Sequence, residues 1–248
     1  MGETYWVYVS IFVLSFANSS MELQTYFFRY AGSVTKNRSM GWALHNAYFT
    51  INRAFALAII FLMALMLDLN TSSTEMAGLC YCAILGAVCA NISIAFNEDC
   101  VKEKSIEALE IYRSSGSLIK TARKFWMPSN KLLFFRVSVR WFKLTISDKR
   151  IFLSALKIHS LYGLSLYLVV FIAANFIEYR ATIMQSTAIV NVIATYYLTS
   201  VLDPILSRSL DESSNFEMLF KDVLVARYLS YIIICPSVYA LFWLIFEV

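Results

Sequence analysis

The chain predicts an all-α polytopic membrane protein with six transmembrane helices, and three observations point there. Its 248 residues are 59% apolar and 15% charged, with only three prolines, whereas soluble domains carry roughly 45–50% apolar and about 25% charged residues. Long uncharged windows recur at 4–21, 39–52 with 54–67, 76–97, 158–177, 181–202 and 228–246, each segment close to the ~20 residues a helix needs to cross the hydrocarbon. Nineteen of the 21 lysines and arginines fall in segments 29–40, 98–157 and 203–227, which six spans place on one side. The positive-inside rule makes that side cytoplasmic and both termini external.

The first window, 4–21, lacks a basic n-region and a small-residue cleavage site before it, so it is expected to stay as an uncleaved helix reaching to about Arg29. Tyr5, Trp6 and Tyr8 sit at its outer end as an interfacial belt. Glu22 lies seven residues before Arg29 on nearly the same face, ~10 Å inside the cytoplasmic edge. A carboxylate at that depth is protonated or paired, with Arg29 or Arg53 as the expected cation. The turn after this helix carries Lys36 and Arg38; topology alone accounts for such charges, and its place between Glu22 and Arg53 also suits an anion.

Arg53 is the centre of the reading. Fourteen residues separate it from the next charged residue on either side, Arg38 and Asp68. A central arginine opposes insertion by roughly 2.5–3.5 kcal/mol, so it faces inward, is paired or lines a substrate path; otherwise it snorkels or binds two helices together. Asn46 shares its face at a spacing of seven, with His45 and Asn52 beside them. Counted from Arg38, Asn46 is ~12 Å and Arg53 ~22 Å deep. The third window is rich in glycine and alanine and carries one deep amide, Asn91, which with Glu22 and Asn46 would form a polar layer.

The segment 98–157 has room for a cytoplasmic subdomain. Glu103, Glu107 and Glu110 beside Lys102, Lys104 and Arg113 predict a solvated helix that Ser114–Ser117 breaks. Arg136, Arg140 and Lys143 on one face, with Phe135, Val139, Phe142 and Ile146 on another, predict a basic interfacial helix. The fourth window holds His159 and Asn175, and the fifth Gln185, Asn191 and Thr195. Asn191 is ~18 Å deep when counted from Asp203. Asp203 before Pro204 reads as a helix N-cap. Pro236 should kink the last helix. The five cysteines show neither disulfide nor zinc-ligand spacing, and no metal site, catalytic constellation, cofactor or nucleic-acid partner is expected.

The expected organisation is a membrane half over 1–97, a cytoplasmic or interfacial helical segment over 98–157 and a second membrane half over 158–248. An odd number of crossings inverts the second half, giving a 3+3 inverted arrangement of the kind transporters use around a midplane site.

Glu22-x6-Arg29, Ala31-Gly32, Thr35-Lys36, Leu44, Asn46 and Arg53, followed by Asn191-x2-Ala194-Thr195, Asp203-Pro204, Ser207 and Asp211-Glu212, resemble the signatures of the Amj family (alternate to MurJ) of lipid II flippases. The resemblance implies movement of undecaprenyl-diphosphate-linked disaccharide-pentapeptide, lipid II, from the inner to the outer leaflet of a bacterial cytoplasmic membrane. A diphosphate needs arginine or lysine partners. Arg53 and Arg29 are then expected to engage it in a central cavity, with Glu22 as the counter-ion when the site is empty. Lys36 and Arg38 would serve at the inner surface, and Asn46, Asn191 and Asp203 as further polar partners. Six helices enclose little volume for this headgroup, so a groove open to membrane lipid or a homodimer is expected. Two other readings stay open: a polyprenyl-phosphate-processing membrane enzyme, for which only Asp203, Asp211 and Glu212 offer carboxylates, and a small-solute transporter of the same architecture.

Overall fold

A computed structural model of the chain describes residues 2–126, 146–212 and 215–246. The helices are α1 (Gly2–Val34), α2 (Arg38–Asp68), α3 (Ser73–Phe96), α4 (Glu98–Ser115), α5 (Leu118–Trp126), α6 (Lys149–Asn175), α7 (Arg180–Tyr197), α8 (Asp203–Glu212), α9 (Phe216–Leu229) and α10 (Cys235–Phe246). Five-residue π turns, Leu198–Leu202 and Ser230–Ile234, join α7 to α8 and α9 to α10. Six helical segments are therefore long and apolar enough to cross a membrane, as a multi-pass membrane protein requires. The basic interfacial helix expected around 131–146 falls outside the described residues, apart from Ile146.

The α1–α2 hairpin is closed by two glycines. A Cβ on Gly41 would stand 2.6 Å from the Phe28 carbonyl oxygen and 2.8 Å from Gly32 Cα, so the two backbones touch there and no larger residue fits. The link between them turns through Lys36, whose φ of 57° is left-handed. At the other end of the bundle Ser72 and Glu75 form a capping box that starts α3.

α1 packs chiefly on α2 and α3, and α6 on α7 and α9. Among the described residues α2 and α7 share at most a marginal contact, although both lean on α6. α2 and α7 are thus held apart, each against α6. The core divides by level. One cluster around Ile11, Met63, Leu79 and Phe171 fills the end near the α2–α3 turn. Two others, around Phe27, Leu202 and Phe220 and around Phe28, Tyr48 and Leu109, fill the end that carries α4 and the α1–α2 turn, the basic end of the bundle.

Several expectations are corrected. The fourth span begins at Lys149, because Asp148 caps it by accepting the amides of Arg150 (2.8 Å) and Ile151 (3.2 Å). Buried Asp222 in turn takes the amides of Ser147 and Asp148, the latter at 2.8 Å, and fixes the entry of α6. The sixth candidate span starts at Phe216, twelve residues earlier than its apolar window. Asp203 is not an N-cap: its φ and ψ of −62° and −43° are helical, and its amide bonds the Leu198 carbonyl five residues back. Cys235 does the same to Ser230. Each π turn stands just before an X-Pro pair. Proline lacks an N–H and clashes with the carbonyl four residues earlier; a widened turn accommodates both defects without breaking the helix. The inserted residue also rotates the downstream helix by about 100°, and this rotation sets the face on which Asp203 emerges.

The solvated helix expected from 103–113 is present as α4, ended by Gly116 at φ 62°. It is not wholly solvated, since Ser105, Ala108 and Leu109 are buried toward the α1–α2 hairpin. On its flank Lys102 lies 2.7 Å from Glu98. Burial opposes the lysine charge, but Glu98, with Tyr30 and Asp99 behind it, more than offsets this and holds the Lys102 pKa above the ordinary lysine value. The five cysteines are free, with Cys80 and Cys235 buried as apolar filler.

Candidate functional site

Two arginines, one from each half of the chain, are buried in the basic half of the bundle, and each is paired with a carboxylate from the other half. Arg29 of α1 donates to Asp203 at 2.7 Å, and Arg227 of α9 donates to Glu22 at 2.7 Å. Arg29 is 3% and Arg227 0% exposed, while Asp203 and Glu22 keep 16% and 14% of their side-chain surface. The cations are therefore sealed and the carboxylates lie at the edge. Tyr26 separates the two sites, its ring centroid 5.9 Å from each guanidinium carbon.

Around Arg29 the partners are strongly ordered. Its second terminal nitrogen is 2.8 Å from His45 Nε2. A guanidinium only donates, so Nε2 is the acceptor and His45 is neutral with its proton on Nδ1, which donates to the Thr25 carbonyl at 3.0 Å. The Trp42 ring covers the guanidinium with its centroid 4.0 Å away, a cation–π contact strengthened by the absence of water. Around Arg227 the arrangement is more aromatic. The Tyr231 ring lies 4.7 Å from its guanidinium carbon, and its other hydrogen bond among the described residues is a long one to the Ser19 carbonyl. Ser19 also receives a 2.8 Å bond from Asn91.

The expected pairing of Glu22 with Arg29 or Arg53 is thus corrected: Glu22 serves Arg227, and Asp203 serves Arg29. By sequence Arg227 counts among the loop cations because the apolar window begins one residue after it, yet it is in the core. Its signal is the need of Glu22 for a cation at depth, together with the apolar residues Val223–Ala226 that precede it. His159 likewise gives no sign of its place in the sequence. It is fully buried with its ring 5.8 Å from that of Tyr26, and neither ring nitrogen has a hydrogen-bond partner among the described residues.

Arg53 is exposed, on the same stripe of α2 as Asn46 and Thr50, which are exposed too. Asn46 consequently does not join the polar layer expected with Glu22 and Asn91. The register that sets Gly32 against Gly41 and Arg29 against His45 brings Arg53 to about the level of Ser20 and Met21, next to Glu22. Its guanidinium lies 5.2 Å from the Phe49 ring, and no carboxylate among the described residues pairs with it. Arg29, expected beside it in a central cavity, is buried, whereas Arg53 is exposed, so the two do not share one enclosed site. Arg53 is near enough to α6 for its charge, like those of Glu22 and Asp203, to act on the Tyr162 hydroxyl. Tyr162 bonds Thr195 Oγ1 at 2.6 Å. Since that hydroxyl already donates to the Asn191 carbonyl, Tyr162 is the donor. Asn191 itself accepts from Ser165 at 3.3 Å on the α6–α7 side.

Lys36 and Arg38 lie away from these pairs. They line a cleft of about 980 Å³ between the α1–α2 turn and the start of α9, with Tyr30, Ser39, Asn215 and Glu217. This part of the bundle thus offers an exposed guanidinium that no carboxylate among the described residues pairs with, hydroxyl and amide groups, and two ion pairs whose acids keep some exposed surface. Such an arrangement suits an anion with polar substituents and an apolar remainder left in lipid.

Compared with protein-family models, with curated proteins and with solved structures, the chain matches none of them.

Proposed function

We propose that this chain is a lipid II flippase of a bacterial cytoplasmic membrane. In this reading it carries the diphosphate headgroup along a groove between α2 and α7 from the inner to the outer leaflet, while the polyprenyl tail stays in the bilayer. The basic end faces the cytoplasm, both termini face outward, and the two triplets form a 3+3 inverted pair. Supporting that pairing, α1 and α6 play the same part within their triplets. The likeness to the Amj signatures supplies the cargo, and the groove supplies the chemistry.

The observation that carries the reading is Arg53. It is exposed close to the depth of Glu22, with no acid among the described residues to neutralise it. A guanidinium held there is costly unless a mobile anion visits it. Arg29, already neutralised by Asp203, then acts as a reserve station, while Arg227 stays locked to Glu22. An arriving diphosphate competes with Asp203, and the released carboxylate re-forms its pair once the headgroup leaves, so the empty carrier resets. Asn191 and Thr195 on α7 and Asn46 and Thr50 on α2 supply partners for the sugars and peptide.

The test is complementation. Cells depleted of their own lipid II flippase receive this chain or its Arg53→Ala variant, and lipid II in the outer leaflet is measured by an impermeant probe. Wild type is expected to restore outer-leaflet lipid II. Arg53→Ala is expected to reduce it at least tenfold at equal membrane abundance, the loss of one charge-assisted contact of about 1.4 kcal/mol or more. A fully active Arg53→Ala chain removes the arginine from the mechanism.

A further inference from the structure

We infer that the cleft between the α1–α2 turn and the start of α9 is a separate phosphate-binding vestibule, which takes the phosphate of a lipid headgroup before it reaches the groove. This rests on the flippase reading for its role in a sequence of steps, and on the cleft itself for its chemistry. The cleft measures about 980 Å³, room for a phosphate with an attached sugar. Two cationic side chains line it, exposed Lys36 and half-buried Arg38. Lys36 is held there in a left-handed conformation, φ 57°, which is rare for residues other than glycine and asparagine. The sequence thus keeps a cation where glycine would relax the turn.

Backbone donors add to the side chains. Asn37 precedes α2 but its side-chain amide donates to the Thr35 carbonyl at 3.0 Å, and caps nothing. Asn215 precedes α9 and likewise makes no side-chain cap. The first turns of both helices line the same cleft through Arg38, Ser39, Phe216, Glu217 and Met218. Two positive helix ends therefore reinforce two cations around one space. Glu217 is the opposing charge. It weakens the hold on a bare anion, so a headgroup docks here without being trapped, as a station that must pass its ligand on requires.

The vestibule is tested by equilibrium binding, with no transport step. The full chain in nanodiscs is titrated with undecaprenyl phosphate in one arm and with inorganic pyrophosphate in the other. Lys36→Asn suits the left-handed position while removing the charge, so it keeps the fold. It is expected to weaken lipid-phosphate binding about threefold, and together with Arg38→Gln about tenfold or more, while Glu217→Gln tightens it. Pyrophosphate binding with the same dependence on these variants identifies phosphate itself as the recognised group. Variant-sensitive binding of lipid phosphate alone supports a headgroup site, whereas variant-sensitive binding of pyrophosphate alone overturns the vestibule in favour of a soluble-phosphate site. Wild-type affinities in Lys36→Asn and in the double variant overturn the cleft as a phosphate site of either kind. If those affinities are unchanged while Arg53→Ala still stops lipid II movement, the vestibule falls and the flippase stands. If the cleft binds as expected and no lipid II moves, the reverse holds.

Discussion

Glu22–Arg227 and Arg29–Asp203 are the same chemistry at the same 2.7 Å separation, and their surroundings make them different devices. Among the described residues Arg227 has a carboxylate, a long bond to a carbonyl and aromatic faces, and no second charged partner. Arg29 has a carboxylate, a neutral imidazole that accepts from it and an indole at 4.0 Å. Remove the acid and Arg227 is stranded in a medium of low dielectric, whereas Arg29 keeps two partners. The first pair is accordingly a structural lock between α1 and α9, and the second is a tie between α1 and α8 that can open.

The largest effect should come from Glu22→Gln. The change is nearly isosteric but removes the charge that balances a wholly buried guanidinium, and breaking a buried pair in this way costs about 3–5 kcal/mol. Unfolding of the purified chain in detergent by denaturant titration measures it. Glu22→Met with Arg227→Met should recover most of that loss, because apolar replacement of both partners is often neutral or better. A cost below about 1 kcal/mol for the single variant would mean that water reaches Arg227.

Asp203→Asn should cost less, about 1–2 kcal/mol, the difference between a charged and a neutral acceptor when His45 and Trp42 remain. The same titration decides it. If Asp203→Asn matches or exceeds Glu22→Gln, the contrast between lock and tie fails, and Asp203 must be holding the π-turned helix in place as well.

The six spans were legible because a run of about twenty apolar residues suits a bilayer far better than the half-wet surface of a soluble domain. Glu22, Arg29 and Arg53 were legible because a charge inside such a run stands out. Pairing was not, since the partners are 174 and 205 residues apart and depth counted along a helix gives level but not direction. Arg227 escaped for a different reason. Lys221 and Asp222 interrupt the apolar pattern of α9, so the helix reads as loop until Tyr228. Asp222 is buried because it caps the approach to α6 through backbone amides, which leave no trace in composition. The two X-Pro pairs announced a local defect, read as a cap at Pro204 and a kink at Pro236. That both resolve as π turns depends on packing around them: Gly163 lets α6 approach Cys235 and Tyr231 so closely that a Cβ would stand 2.6 Å from the cysteine sulfur.

The smallest effect is expected at His159, and it sharpens the comparison because a second histidine serves as its control. Both imidazoles contact the Tyr26 ring edge-on, at 5.9 Å for His45 and 5.8 Å for His159. His45 uses both nitrogens, one for Arg29 and one for the Thr25 carbonyl; His159 uses neither among the described residues. Leucine at His45 strands a buried N–H of the charged Arg29 and should cost about 2–3 kcal/mol, whereas leucine at His159 removes a polar group that lacks partners among the described residues and should change stability by less than about 1 kcal/mol, in either direction. Equal losses in the same detergent titration would show that His159 has a partner in solution, a bound water or Arg227 itself after Glu22 moves. Arg227 would then have somewhere to go, and the pair assigned here as a lock would have to be regrouped with the tie.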